Sequence, residues 1–473
     1  MKTTKKLFIL TLALTLSAGF YSCKKKGCTD AEAINYDSKA KKDDGSCVYP
    51  DPIPEEKEVE VTANITASTT WVKTKKYILK GFIFVTSGVT LTIEPGTVIV
   101  GDKASKGTLI IDRGAKLMAV GTANEPIVFT SNQPKGQRDY GDWGGIIICG
   151  KGPVNLPGGE GVVEGGTGAT FGGGASPDAA DNSGKLKYVR IEFSGIPFQP
   201  NQEINGLTMG GVGSGTELDY IQVSYCGDDS YEWFGGTVNA KHLISFRAWD
   251  DNFDGDNGWN GKVQFALALT DPNVADQSGS NGFEQDNDAS GTGATPITNS
   301  IFSNVSLFGP KQTSGTTINS QYKRAAHLRR NTKTCIYNSL LAGYPTGLLI
   351  DGSACETNSD NDELQFRNNI ISGCATPLAV ASGSSWDIST WFNTPAYANS
   401  IEADNANLLV PNAWNLTNPS FIPSGGSPLL SGASFAATNL QSTFFEQVSY
   451  KGAFGSSNWT SSWTNWDPQN TEY

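Results

Sequence analysis

Asp228-Asp229-Ser230-Tyr231-Glu232 returns 22 residues later as Asp250-Asp251-Asn252-Phe253-Asp254, and a looser third copy follows at Phe283-Glu284-Gln285-Asp286-Asn287. If 22 residues make one turn of a coil, the acids of successive copies share one corner of neighbouring rungs, a strand spacing apart. Carboxylates that close repel by roughly 1 kcal/mol per pair in water and several times that when partly buried. A divalent cation answers the repulsion, and calcium suits it, taking six to eight hard oxygens at about 2.4 Å in irregular geometry. The candidate ligands are therefore Asp228, Asp229, Glu232, Asp250, Asp251, Asp254 and Asp256, with Asn257 beside them. A single Asp-Asp pair would as readily face solvent, answered by water, Arg247 or Lys241. Recurrence of the whole pattern is what argues for the ion.

Aromatic residues crowd the same stretch. Tyr231 and Phe253 hold equivalent places in the repeat and are expected to stack in a core, whereas Trp233, Trp249 and Trp259 flank turns. Tryptophans beside a polar groove grip the apolar faces of sugar rings, so these three, with Arg247, are the candidate ligand-binding residues. The two histidines, His242 and His327, stand near no Ser or Cys in a triad-like setting, and each reads as a neutral, satisfied residue at a coil corner. Gly227-Asp228-Asp229 resembles the Gly-Asp-Asp of polygalacturonases, but their Asn-Thr-Asp, Gly-His-Gly and Arg-Ile-Lys signatures are missing. A lyase would need a base such as Arg247, Lys241 or Arg324 next to the acids. No catalytic residue is assigned.

The elements that must hold these residues show themselves by repetition. Residues 91–100 return as 109–118, each copy two short β-rich runs hinged at a glycine, too short to be hairpins with polar faces of their own. One coil per copy, stacked on the last, is the economical arrangement: a parallel β-helix, in which equivalent residues form ladders. Residues 83–85, 127–129 and 146–148 continue the pattern, 188–195 aligns with 220–227, and 338–343 aligns with 368–373, where Asn338 and Asn368 suit an asparagine ladder at a corner. The Gly-rich stretches 158–174 and 278–293 read as long loops on the functional flank.

Before this body lie shorter pieces. Lys2, Lys5 and Lys6 precede an apolar run over residues 7–21, which reads as an export signal over 1–22 and is too short to span a membrane. Ser22-Cys23 resembles the lipobox of bacterial lipoproteins, which implies lipid on Cys23 and anchoring outside the bilayer. Residues 23–49 form a small module bounded by Cys28 and Cys47, which a disulfide would have to staple because so short a loop buries no core. A Pro- and Glu-rich spacer covers 50–60, the β-helix 61–430, and residues 431–473 are expected to cap the open end of the strands. Cys149, Cys226, Cys335, Cys355 and Cys374 remain, an odd number, with Cys355 open to pairing with Cys374 or Cys335. The formal charge of −12 becomes −15 once the three signal lysines are removed, which disfavours nucleic acid as a partner.

Residues 91–96, 121–131 and 228–256, with the closing Tyr450-Lys451-Gly452-Ala453-Phe454-Gly455 and Trp459, Trp463 and Trp466, resemble a family of Bacteroidetes surface lipoproteins with a pectin-lyase-like fold. The resemblance implies an all-β, right-handed parallel β-helix displayed at the outer membrane on the cell surface. The function expected is glycan or outer-membrane-partner binding, calcium-supported and non-catalytic; the alternative is a calcium-dependent polysaccharide lyase or glycoside hydrolase using the stacked Asp pairs.

Overall fold

The computed structural model describes residues 24–49, 57–199 and 202–473, and the chain divides into two compact units at Glu55/Glu56. Cys23, the signal segment and most of the expected spacer lie outside the described residues. In the smaller unit Cys28 and Cys47 are joined, as expected, and Asn35 ties the ends of the loop, donating to Ser46 O and accepting from Val48 N–H (2.8 Å). No helix among the described residues is long and apolar enough to cross a membrane.

The larger unit is the expected right-handed parallel β-helix. It starts at Lys57–Val61, inside the stretch expected as spacer, and pairs that strand in parallel with Lys75–Leu79. One face is a ten-stranded parallel sheet running from Phe82–Val85 to Thr376–Val380; a seventeen-stranded sheet supplies the other sides. The second sheet can turn because its long strands bend at one residue with a left-handed backbone: Tyr188, Tyr220, His242, Phe265 and Asn304, with φ of 50°, 53°, 50°, 60° and 56°. Holding a residue with a Cβ there costs about 1 kcal/mol. Stacking offsets it, since Tyr188 lies 4.5 Å from Tyr220, Tyr220 4.1 Å from His242, and His242 5.2 Å from Phe265.

Alternation places one set of side chains inside. Tyr231 and Trp233, Phe253, Phe283, and Ala326 and Leu328 face the core from consecutive rungs of the ten-stranded sheet. Their neighbours at 232, 254, 284 and 327 therefore face out.

Three expectations need correction. The 18-residue repeat is not a rung: Leu91 pairs with Leu117, while Leu109 pairs with Ile83 in the other sheet, because both faces demand the same alternation and composition does not tell them apart. The asparagine ladder runs one residue beyond the expected corner, with Asn369 Oδ1 accepting from Ser339 N–H (2.8 Å) and Asn399 Oδ1 from Asn369 N–H (3.0 Å). Residues 431–473, expected at the open end, run instead along the flank of the coil stack. Asn368 donates to Gly432 O, Asn338 to Ser434 O and Asn304 to Tyr450 O; further back Trp463 meets Tyr188 and Tyr220, and the Tyr473 hydroxyl donates to Glu192. The left-handed corner residues are thus the rail on which this strap lies.

Candidate metal centre

Glu232, Asp254 and Glu284 are directly opposite one another on strands Tyr231–Phe234, Phe253–Asp256 and Phe283–Gln285, and His327 follows opposite Glu284. The 22-residue repeat of the acids is therefore a true rung. Three residues earlier on each rung, Asp229 Oδ1 accepts the N–H of Asp251 (2.8 Å) and Asp251 Oδ1 accepts the N–H of Asn281, so the second acid of each pair also knits the corner together.

Three overlapping triads result: Asp228, Asp229 and Asp250; Asp229, Glu232 and Asp254; Asp251, Asp254 and Glu284. Within each triad one oxygen per residue lies within 4.8 Å of the others, and Asp229 and Asp254 each belong to two triads. Asp256 stands apart from all three, opposite Phe234. The repeat was enough to find six of the seven expected ligands together. Glu284 completes the third triad; its position under Glu232 and Asp254 in the third copy was the signal for it.

Few cations answer these charges. Asn205 Nδ2 donates to Glu232 and, at 3.2 Å, to Glu164 Oε1; Ser278 Oγ donates to Asp250 (2.7 Å); no described residue donates a hydrogen bond to Asp254. Burial first, and adjacent carboxylates second, hold Asp228, Asp229, Glu232, Asp251 and Asp254 well above the ordinary carboxylate range. Asp250 and Asp256 are pushed up to about 7, again mainly by burial. One rung on, the balance reverses. Glu284 meets Arg329, lies 3.4 Å from His327 Nδ1, and sits below its ordinary range because, against burial, that histidine and arginine favour its charge. Asp286 is bridged by Arg329 and Arg330 (2.7 Å each), and His327 Nε2 contacts Asp351 at 2.7 Å. His327 is thus a member of the column rather than a corner residue, while His242 is the satisfied corner histidine expected, 2.8 Å from Asp219.

Asn281 is 2% exposed; its Nδ2 donates to Glu284 Oε2 (3.0 Å) and reaches Asp251 Oδ2 (3.4 Å), yet its Oδ1 has no partner. Asp250 Oδ1 is likewise buried and unpartnered. Orphaned oxygens among hard carboxylate oxygens are the donor set that calcium takes, so the residues present fit the ion.

The proposed sugar grip changes. Trp233 and Trp259 are 0% exposed and stack on each other at 4.3 Å inside the coil, so neither reaches a ligand. Gly255 is what admits them: a Cβ there would stand 2.9 Å from the Trp259 ring. Trp249 and Arg247 do reach the surface, where Arg247 packs over Tyr225 and pairs with Asp271, and Tyr140 meets Trp249 edge-on at 5.9 Å. The five remaining cysteines are unpaired, including Cys335, Cys355 and Cys374.

The loop over residues 158–174 also differs from an open functional loop. Val163, Ala169 and Phe171 pack onto Ile110 and Ile147, the outward residues of the first rungs of this sheet, and the same loop carries Glu164 to the head of the acid column. A family model described as a pectate-lyase like β-helix domain matches residues 63–415. No curated protein matches the chain.

Proposed function

The chain belongs to the pectate-lyase-like β-helix domain family, and on that premise we propose a lipid-anchored protein of a Bacteroidetes-type outer membrane that binds surface glycan or an outer-membrane partner. The lipid is on Cys23, and calcium occupies the acid column of the ten-stranded sheet. Support for the ion comes from one observation above the rest: three carboxylate triads are linked through Asp229 and Asp254, each shared by two of them, and no described basic residue bridges the first two. Calcium would be held by those carboxylates and by Asn281, and it would offer open coordination positions to sugar hydroxyls or carboxylates. Arg247, Trp249 and Tyr140 form the adjoining polar and aromatic edge.

Binding is favoured over lyase or hydrolase chemistry. Of the three bases named for a lyase, Lys241 is engaged by Glu446 and Arg247 by Asp271, while Arg324 begins the strand Arg324–Arg329, opposite Thr346 and not among the triads. Isothermal titration of the chelated protein with calcium, followed by acidic and neutral oligosaccharides, tests the proposal. Calcium uptake with calcium-dependent oligosaccharide binding, lost in Asp229→Asn and Asp254→Asn, is expected. Reducing ends released from a uronic-acid polymer by wild type but not by those variants would establish the enzymatic alternative instead.

A further inference from the structure

The loop after strand Ile301–Phe308, the turn after Ser400–Glu402 and the chain running on to Ser424 enclose a cavity of about 330 Å³, and no acid of the column lines it. That volume is within the range of small-ligand pockets. Leu409, Val410, Pro411 and Trp414 form its apolar wall. The polar edge of Trp414 is already committed, because its Nε1–H donates to Gly309 O (2.8 Å), and the ring meets Phe308 edge-on at 5.0 Å. The tryptophan therefore offers the cavity ring carbon. Leu409 is 39% exposed and holds φ at 53°, a backbone that disfavours a residue with a Cβ. Its carbonyl is kept there by the N–H of Ser424 (2.9 Å). Strain that the surrounding chain enforces is characteristic of ligand sites.

Polar groups border the same space. Asp404 Oδ1 accepts the N–H of Ala406 (2.9 Å), which leaves Asp404 Oδ2, the Gln312 side-chain amide and the Ser424 hydroxyl without a partner among the described residues. Asn405, 5% exposed, fixes the two sides of the cavity to each other by donating to Lys311 O (2.9 Å) and Gln312 O (3.1 Å). The cavity is thus preformed, and a ligand entering it need not order a loop.

We infer that this cavity binds one neutral sugar residue, with an apolar ring face against Trp414 and Leu409 and hydroxyls on Gln312, Asp404 and Ser424. The uncommitted polar groups select the class. Sugar hydroxyls both donate and accept, so they can serve an amide, a carboxylate and a hydroxyl together. A wholly apolar ligand would strand all three groups away from water. No basic residue lines the cavity, so a carboxylate or sulfate would meet Asp404 with nothing to answer its charge. An ammonium group has donors only and could not accept from the Gln312 amide. This site adds to the proposed glycan binding and needs neither calcium nor the acid column, so either can fail while the other holds.

The test is saturation-transfer NMR with tryptophan fluorescence on the full chain in chelator, titrated with methyl glucoside, methyl galactoside and methyl mannoside to about 50 mM. At least one should bind, with a dissociation constant on the order of 1 mM. Gln312→Ala and Asp404→Asn should each weaken it about fivefold with the thermal melt unchanged, since both side chains are exposed and asparagine keeps the acceptor for Ala406 N–H. Trp414→Ala should abolish it. Absence of binding by all three glycosides overturns the inference. So does equal or tighter binding of methyl glucuronide or glucosamine, or binding that Gln312→Ala and Asp404→Asn leave unchanged.

Discussion

Removing calcium should make the stability of the β-helix fall as the pH rises from about 4 to about 8, and restoring calcium should flatten that slope without removing the part that Asp256, outside the triads, contributes. A carboxyl raised in the folded state binds its proton more tightly there than in the unfolded chain, so its contribution is present below the unfolded value and is lost as pH climbs through the folded one. Asp250 and Asp256 move from 3.8 to about 7, close to three units each, or about 4 kcal/mol per group at roughly 1.4 kcal/mol per unit. Halving the pair for residual solvent screening leaves about 4 kcal/mol. At roughly 1–2 °C per kcal/mol for a unit this large, the chelated protein should melt about 5 °C lower near pH 8 than near pH 5. Calcium at a hundredfold excess over its dissociation constant returns about 3 kcal/mol near pH 8 and almost nothing near pH 5, where protons already occupy the carboxylates. Circular-dichroism melts in chelator and in calcium across this range read both numbers. A chelated melting temperature flat from pH 5 to pH 8, or a calcium effect equal at both, refutes the proposed uncompensated column.

Asp254→Asn removes the acid shared by two triads, so the chelated variant should be about 1–2 kcal/mol more stable than wild type near pH 8 and should lose most of its calcium response, by the same melts. Trp233→Ala should cost about 3–5 kcal/mol in denaturant unfolding as a core cavity, while Trp249→Ala should cost less and weaken oligosaccharide binding in titration. Asn338→Ala deletes two hydrogen bonds to Ser434 and leaves alanine at φ 52°, for about 2–3 kcal/mol and faster proteolysis after residue 431; Asn338→Gly should recover the backbone part only. Cys28→Ser should open the module to proteolysis, because a loop of 19 residues is closed by about 3 kcal/mol of cross-link entropy, with the melt of the β-helix unchanged.

The repeated acids were legible because they mark the outward position of successive rungs with a carboxylate. A Tyr-Glu and a Phe-Asp at the same spacing have a definite register, and the structure places Tyr231 on Phe253 and Glu232 on Asp254 accordingly. The aliphatic runs 91–100 and 109–118 lack such a mark. Any inward-facing strand satisfies the same pattern, so sequence similarity matched strands belonging to different faces. Trp233 and Trp259 were misread for a related reason: tryptophan near a turn suits a binding surface, and only the register of Trp233 on Gly255, with the space that glycine frees, places Trp259 inside. Glu164 reaches the site from a loop, where no period exists to predict it, whereas Asn205 and Asn281 hold, three residues before Thr208 and Glu284, the place that Asp229 and Asp251 hold before Glu232 and Asp254.

The outward face of the ten-stranded sheet changes character rung by rung, and the change follows what covers it. Ile110 and Ile147 are apolar where Val163 and Phe171 pack over them. Thr208 and Glu232 mark the border, held by Asn205. Beyond it Asp254 is acidic with no donor, then Glu284 and Asp286 meet Arg329 and Arg330, and His327 reaches Asp351. A sheet that needed only to be soluble would spread both signs of charge along every rung, since interspersed charges avoid the repulsion. Here neutralisation is supplied from one end: Arg329 bridges Glu284 and Asp286 and reaches Asp254 only through its field, so the acids before that rung have no basic partner among the described residues. Keeping those acids therefore requires either protons, which their burial favours, or a ligand from outside such as the proposed divalent cation, and the calcium dependence of the melt at high pH distinguishes the two.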